Sequence, residues 1–191
     1  MERQAYPFGR LLTFQRKNVA NMPQWLLAAR CEIVASNLRK IEKGETQPGV
    51  MLAVRLLAAT GADVGECFRQ LAEEMGLLAL NDSQTGQAQG PIPDELLQRI
   101  EHIHDTMSSV PCPFGPLLKE VRVFYGVSQK IVAEKAEYHL RNMLEVEKGE
   151  REPGVMTALA MVAATGGDVG RLMKQLAEPA LTKKTSLCKP K

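Results

Sequence analysis

One stretch of 25 residues occurs twice in this chain, and it limits what the chain can fold into. Ile41 to Gly65 reads IEKGETQPGVMLAVRLLAATGADVG and Val146 to Gly170 reads VEKGEREPGVMTALAMVAATGGDVG, identical at 16 positions. A match of that length at a fixed offset marks a duplicated unit. The offset is 105 residues there but 106 at an earlier landmark, where Pro7-Phe8-Gly9 answers to Pro113-Phe114-Gly115. The first copy therefore carries one extra residue between the two landmarks. The expected organisation is a first unit over 1–80, a connector over 81–112, a second unit over 113–180 and a basic tail over 181–191.

Composition narrows the fold class. Of the 191 residues 45% are hydrophobic but only 5% are aromatic, so Leu, Ala, Val and Met must fill two compact cores, which favours an all-α fold. Charge is divided along the chain. Lys and Arg against Asp and Glu count 10 to 8 over 1–80, 1 to 5 over 81–112 and 13 to 9 over 113–191. Both copies are basic and the connector is acidic, as suits a polyanionic partner.

Within each copy the apolar spacing is helical and the punctuation regular. In the second, Phe114 to Tyr125 predicts a helix stopped at Gly126, and Ser128 caps another that begins at Gln129 and ends near Ala136. A tight turn leads to a third, Leu140 to Lys148, stopped by Gly149. Pro153 is expected just inside a fourth helix reaching Thr165-Gly166, and Asp168 caps a fifth. Gln24, Gly44, Pro48, Gly61 and Asp63 repeat these signals in the first copy. Between the copies, Asn81 to Pro93 has the composition of a flexible linker. The helix predicted over Asp94 to Met107 carries Leu96, Leu97, Ile100, Ile103 and Met107 as an apolar stripe. That stripe must bury against a repeat or another chain, either a second copy or a partner protein. The tail from Thr182, with Lys183, Lys184, Lys189 and Lys191, is expected to fray.

One constellation points to function. From Gln24, the residues Leu27, Ala28, Leu38, Ile41, Glu42 and Gly44 follow at offsets 3, 4, 14, 17, 18 and 20, and Gln129, Val132, Ala133, Met143, Val146, Glu147 and Gly149 repeat them. This spacing resembles the helix-turn-helix of the phage repressor and Cro-like (XRE) family of DNA-binding domains, in both copies. Two short helices joined by a tight turn must share an apolar seam, and the outer face of the second is then free to enter a major groove about 12 Å wide. The resemblance implies that Gln24 and Gln129 contact backbone phosphate. It assigns base contacts to Ala35, Ser36, Asn37 and Lys40 in the first copy, and to Leu140, Arg141, Asn142 and Glu145 in the second. It also pairs Glu42 with Arg16 and Glu147 with Arg122, since a carboxylate among apolar neighbours needs a partner. Two features depart from the family: Glu32 and Glu137 replace the turn glycine, and Val34 and His139 replace the usual cap.

The copies agree in their scaffold and differ in their faces. Gln24 to Lys40 and Gln129 to Glu145 share only four of 17 residues. The first face carries Arg39, Lys40 and Lys43 against Glu42, and the second Arg141 and Lys148 against Glu145 and Glu147. The first copy is thus the expected stronger reader of double-stranded DNA.

Other candidates read as structural. Trp25 is expected in the core or packed on a helix surface, and Cys31 at an apolar position is expected as a core thiol. Cys31, Cys67, Cys112 and Cys188 lack metal-ligand spacing, and His102 and His104, two apart on a helix, point to different faces. No catalytic triad, carboxylate pair or phosphate-binding glycine loop occurs, so neither enzyme, cofactor nor metal is expected. With no secretory h-region and no apolar run near the roughly 18 residues a bilayer demands, the expectation is a reduced cytoplasmic protein. It would be a sequence-specific transcriptional regulator working by promoter occupancy. The rival expectation is an interaction or assembly protein in which one or both units have lost DNA binding and the third helix and the 94–107 stripe meet protein.

Overall fold

The computed structural model describes residues 6–77, 93, 95–96, 98–100 and 112–185, with side chains up to Ala177 in the last helix. Its described residues are all-α, in two sets of five helices in the same order. The first set is α1 (Pro7–Phe14), α2 (Gln24–Arg30), α3 (Ala35–Glu42), α4 (Val50–Ala59) and α5 (Val64–Glu74). The second is α6 (Phe114–Phe124), α7 (Gln129–Lys135), α8 (Leu140–Glu147), α9 (Val155–Thr165) and α10 (Val169–Thr185).

The residue that the first copy has in excess sits where the chain can absorb it. After α1 the backbone widens into a π turn over Gln15–Val19, with the Ala20 amide reaching back to the Gln15 carbonyl at 2.9 Å. A one-residue insertion would rotate everything beyond it by a quarter turn or so in a regular helix; the wider turn takes up the residue and preserves the register. Asn21 (φ 43°) then matches Gly126 (φ 66°), and both copies resume at the same offset.

Three of these helices begin at a side-chain cap. Ser128 Oγ accepts from the Ile131 amide at 3.3 Å, while Asp63 and Asp168 cap α5 and α10 through the amides of Glu66 and Arg171, each at 3.0 Å. The turns between α2 and α3 and between α7 and α8 carry Glu32 at φ 56° and Glu137 at φ 50°, a left-handed conformation that costs a non-glycine residue on the order of 1 kcal/mol. Leu27, Ala28, Leu38 and Ile41 are buried, as are Val132, Ala133, Met143 and Val146, so each helix pair shares the expected apolar seam. Gly9 lies against the backbone at the end of α3, where a Cβ would collide with the Ile41 carbonyl, and Gly115 is in the same relation to Val146. These contacts explain the Pro-Phe-Gly landmark, which brings the first helix of each set hard against the third.

Three expectations are corrected. Pro48 and Pro153 lie one residue before the cap glycines rather than inside α4 and α9. Their carbonyls join the two sets: Val50 N–H donates to Pro153 O at 3.1 Å, and Val155 N–H to Pro48 O at 3.0 Å. Instead of two cores there is one continuous hydrophobic cluster, because α5 packs along α10 and α4 along α9. The tail is not frayed from residue 182, because α10 runs on to Thr185. The Asn81 to Pro93 linker is outside the described residues except at Pro93, and so is most of the 94–107 stripe. Leu96 and Ile100 of that stripe are fully buried within this chain, which takes them out of reach of any partner.

The contact between the sets is reciprocal. Gly49 and Gly154 form an antiparallel bridge, and Gly65 and Gly170 meet where α5 crosses α10. Contacts that map residue i onto j and j onto i are the mark of a two-fold relation, here between two halves of one chain.

Candidate functional site

The expected site residues lie on α2–α3 and α7–α8 or just past them, and a three-residue network locks each helix pair to an arginine, in the π turn after α1 in the first set and on α6 in the second. Arg16 Nε donates to Glu42 Oε1 at 2.5 Å and Nη2 to Oε2 at 3.0 Å, in the bidentate geometry that suits a guanidinium, while Nη1 donates to the Met22 carbonyl at 2.8 Å. Gln24 Nε2 completes it, donating to Glu42 Oε2 at 2.7 Å. The second copy repeats this with Arg122, Glu147, the Val127 carbonyl and Gln129, at 2.6, 3.0, 2.9 and 2.6 Å. Arg16 and Glu147 are buried, so the network holds charge away from water with its hydrogen bonds made. One amide proton of Gln24 and of Gln129 is thereby committed within the protein, and the side chain is held at the start of its helix rather than swinging free.

On the outer face of α3, Ala35, Ser36, Asn37, Arg39 and Lys40 are exposed. Among the described residues neither Arg39 nor Lys40 has an acidic partner within salt-bridge distance, and the next cation, Lys43, touches only the exposed Glu45 at 3.6 Å. A helix N-terminal half of small polar residues followed by two unpaired cations can approach a polyanion closely.

The corresponding face of α8 differs. Glu145 accepts from Arg151 Nε at 2.8 Å and lies 4.0 Å from Arg141, so one carboxylate offsets one of two neighbouring guanidinium charges. Its hydrogen bond raises the pKa of Arg151 above the ordinary arginine value. On α7, Lys130 faces Glu134 at 3.8 Å. Leu140 and Leu144, one turn apart on α8, are 44% and 41% exposed, Asn142 is half-buried, and Lys148 is exposed just past the helix end.

Trp25 belongs to the helix surface and not to the core, being 66% exposed on α2. Cys31, Cys67 and Cys112 are buried thiols, that of Cys31 donating to the Arg55 carbonyl at 3.6 Å, and burial lifts the Cys67 thiol to about 11. His102, His104 and Cys188 are outside the described residues. Among those described, no three His, Cys, Asp or Glu side chains gather where a metal ion could be held, and no helix is long and apolar enough to cross a membrane.

Sequence reasoning missed the seam. An open groove of about 460 Å³ runs over the α5–α10 crossing, lined by Asp63, Glu66, Arg69, Asp168, Arg171 and Lys174. Nearby, Glu152 Oε1 of the second set accepts from the Met51 amide of the first at 2.8 Å. Pro-Gly-Val and Asp-Val-Gly, identical in both copies, each supply half of the same contact.

Comparison with family models, with curated proteins and with solved structures gave no match.

Proposed function

We propose that this chain is a sequence-specific double-stranded DNA-binding transcriptional regulator, built of two tandem helix-turn-helix domains of the phage repressor and Cro-like kind. The observation that carries this reading is the α3 face, where Ser36, Asn37, Arg39 and Lys40 stand exposed on a short helix with no acid pairing the two cations among the described residues. Arg and Lys there can reach phosphates and guanine edges, and Asn37 an adenine edge. Gln24 and Gln129 sit where each helix pair would meet a strand, held in place by Glu42 and Glu147.

The reciprocal seam supports a paired form of this reading. Two reading helices related by an internal two-fold make the chain a covalent pseudo-dimer, suited to two half-sites about 34 Å apart on one face of the duplex. The half-sites differ in sequence because the faces differ, and α3 supplies most of the specificity. Buried cysteine thiols suit the reducing cytoplasm, where the DNA of such a regulator lies.

A second reading applies to the second copy alone. Exposed Leu140 and Leu144, with Glu145 offsetting part of the charge of the neighbouring arginines, favour a protein-docking face on α8. Selecting bound fragments from random duplex DNA at low salt distinguishes the two. An enriched motif with two unlike half-sites supports DNA reading by both copies, an enriched single half-site leaves α8 to protein, and no enrichment refutes the DNA-binding reading.

A further inference from the structure

The chain has a single tryptophan, and it is left in water. Trp25 shares with Val34 the greatest exposure of any large apolar side chain among the described residues. Its place follows from its neighbour. Gln24 donates to Glu42, so the first turn of α2, which carries Trp25, lies against the last turn of α3, beside which Arg39 and Lys43 are exposed. In the second copy that edge is built differently: Lys130 stands at the place of Trp25 and faces Glu134 at 3.8 Å, Leu144 stands at the place of Arg39, and only Lys148 keeps the place of Lys43.

We propose that Trp25 is a DNA-backbone contact, its ring covering a deoxyribose beside the half-site read by α3 and its Nε1–H donating to a phosphate oxygen. The proposal rests on the DNA-binding reading and adds a residue that the family pattern does not supply. What identifies the occupant is complementarity. A nucleic-acid strand alternates an apolar sugar with an anion, and this edge alternates an apolar ring with an N–H donor and two cations. An apolar protein surface laid on the ring would strip water from Arg39 and Lys43 without compensating them. The residue is a positioning one: it reads no base edge, and it fixes how far α3 enters the groove.

Because Trp25 is the chain's only indole, its emission reports on this site alone. The experiment titrates the full chain with a labelled random-sequence duplex at low salt, following duplex anisotropy and acrylamide quenching of the tryptophan together. Quenching should fall several-fold in step with the rise in anisotropy. Trp25→Ala should weaken binding on the order of tenfold, with the salt slope unchanged because no cation is lost, and Trp25→Phe should recover part of that by restoring the ring. Both variants alter an exposed side chain, and an unchanged thermal melt verifies that the fold is intact. Duplex binding with unaltered quenching, or a Trp25→Ala variant that binds as well as the parent, overturns the assignment of Trp25 and leaves the DNA-binding reading standing. A duplex that does not bind at all overturns both.

Discussion

Gly65 and Gly170 touch backbone to backbone where α5 crosses α10: a Cβ on Gly65 would lie 2.7 Å from the Gly170 carbonyl oxygen, and one on Gly170 would lie 2.8 Å from that of Gly65. Both glycines are in helices, where alanine is intrinsically better by up to about 1 kcal/mol. The obstacle here is fixed backbone on the other side of the seam, and forcing extra atoms into such a contact costs roughly 1–3 kcal/mol. Gly65→Ala should therefore lower stability in urea unfolding despite its helix propensity. The double variant Gly65→Ala/Gly170→Ala should cost less than the sum of the singles, since the first opens the contact that the second would crowd. An alanine at either position that stabilises the protein would contradict the crossing.

The Arg16–Glu42 network makes a stability prediction with an internal control. Arg16→Met leaves the Glu42 carboxylate with no cation and only the Gln24 amide as donor, and the Met22 carbonyl without its donor, in a buried site, which should cost about 3–5 kcal/mol. Adding Glu42→Leu should restore much of that loss, because the unpaired charge goes with it. Exposed Arg69, which pairs with Glu66 and Glu73, is the comparison, and Arg69→Ala should cost under about 1 kcal/mol. Thermal melts of the four proteins check this, and equal losses at Arg16 and Arg69 would contradict a buried role for the network.

Much of this was legible in the sequence, for reasons that can be named. Helix ends were readable because Ser128, Asp63, Asp168, Gly126 and Gly149 act locally on their own backbone. Glu42 and Arg16 were readable through a resemblance and the cost of a buried charge, although the share taken by Gln24 was not, since nothing in its spacing separates a phosphate ligand from a Glu42 ligand. The seam was hidden for a different reason. Pro48, Gly49 and Gly65 carry ordinary helix-start signals, and their cross-contacts to Pro153, Gly154 and Gly170 depend on a docking that no local pattern encodes. The extra residue of the first copy was countable, but its form as a π turn at Gln15–Val19 was not.

Salt should weaken DNA binding. Each phosphate contact releases counterions, giving a slope of about 0.9 in log K against log salt. Lys43→Ala should reduce the slope by roughly that amount if Lys43, exposed at the end of α3, meets a phosphate. A titration that stays flat from low to moderate salt would leave the basic faces with no phosphate to contact.

The central claim is that the two faces contribute unequally to reading one DNA site, and the most direct measurement is a paired titration of a selected duplex with Lys40→Ala and Glu145→Ala. Lys40 is exposed and has no acid beside it among the described residues, so its loss should cost about 1–3 kcal/mol of specific binding. Glu145 instead holds Arg151 at 2.8 Å and Arg141 at 4.0 Å, and its removal frees both guanidinium groups. Glu145→Ala should leave affinity unchanged or raise it. Opposite or null-against-loss effects are the predicted result, and a Glu145→Ala variant that loses as much affinity as Lys40→Ala would contradict the account.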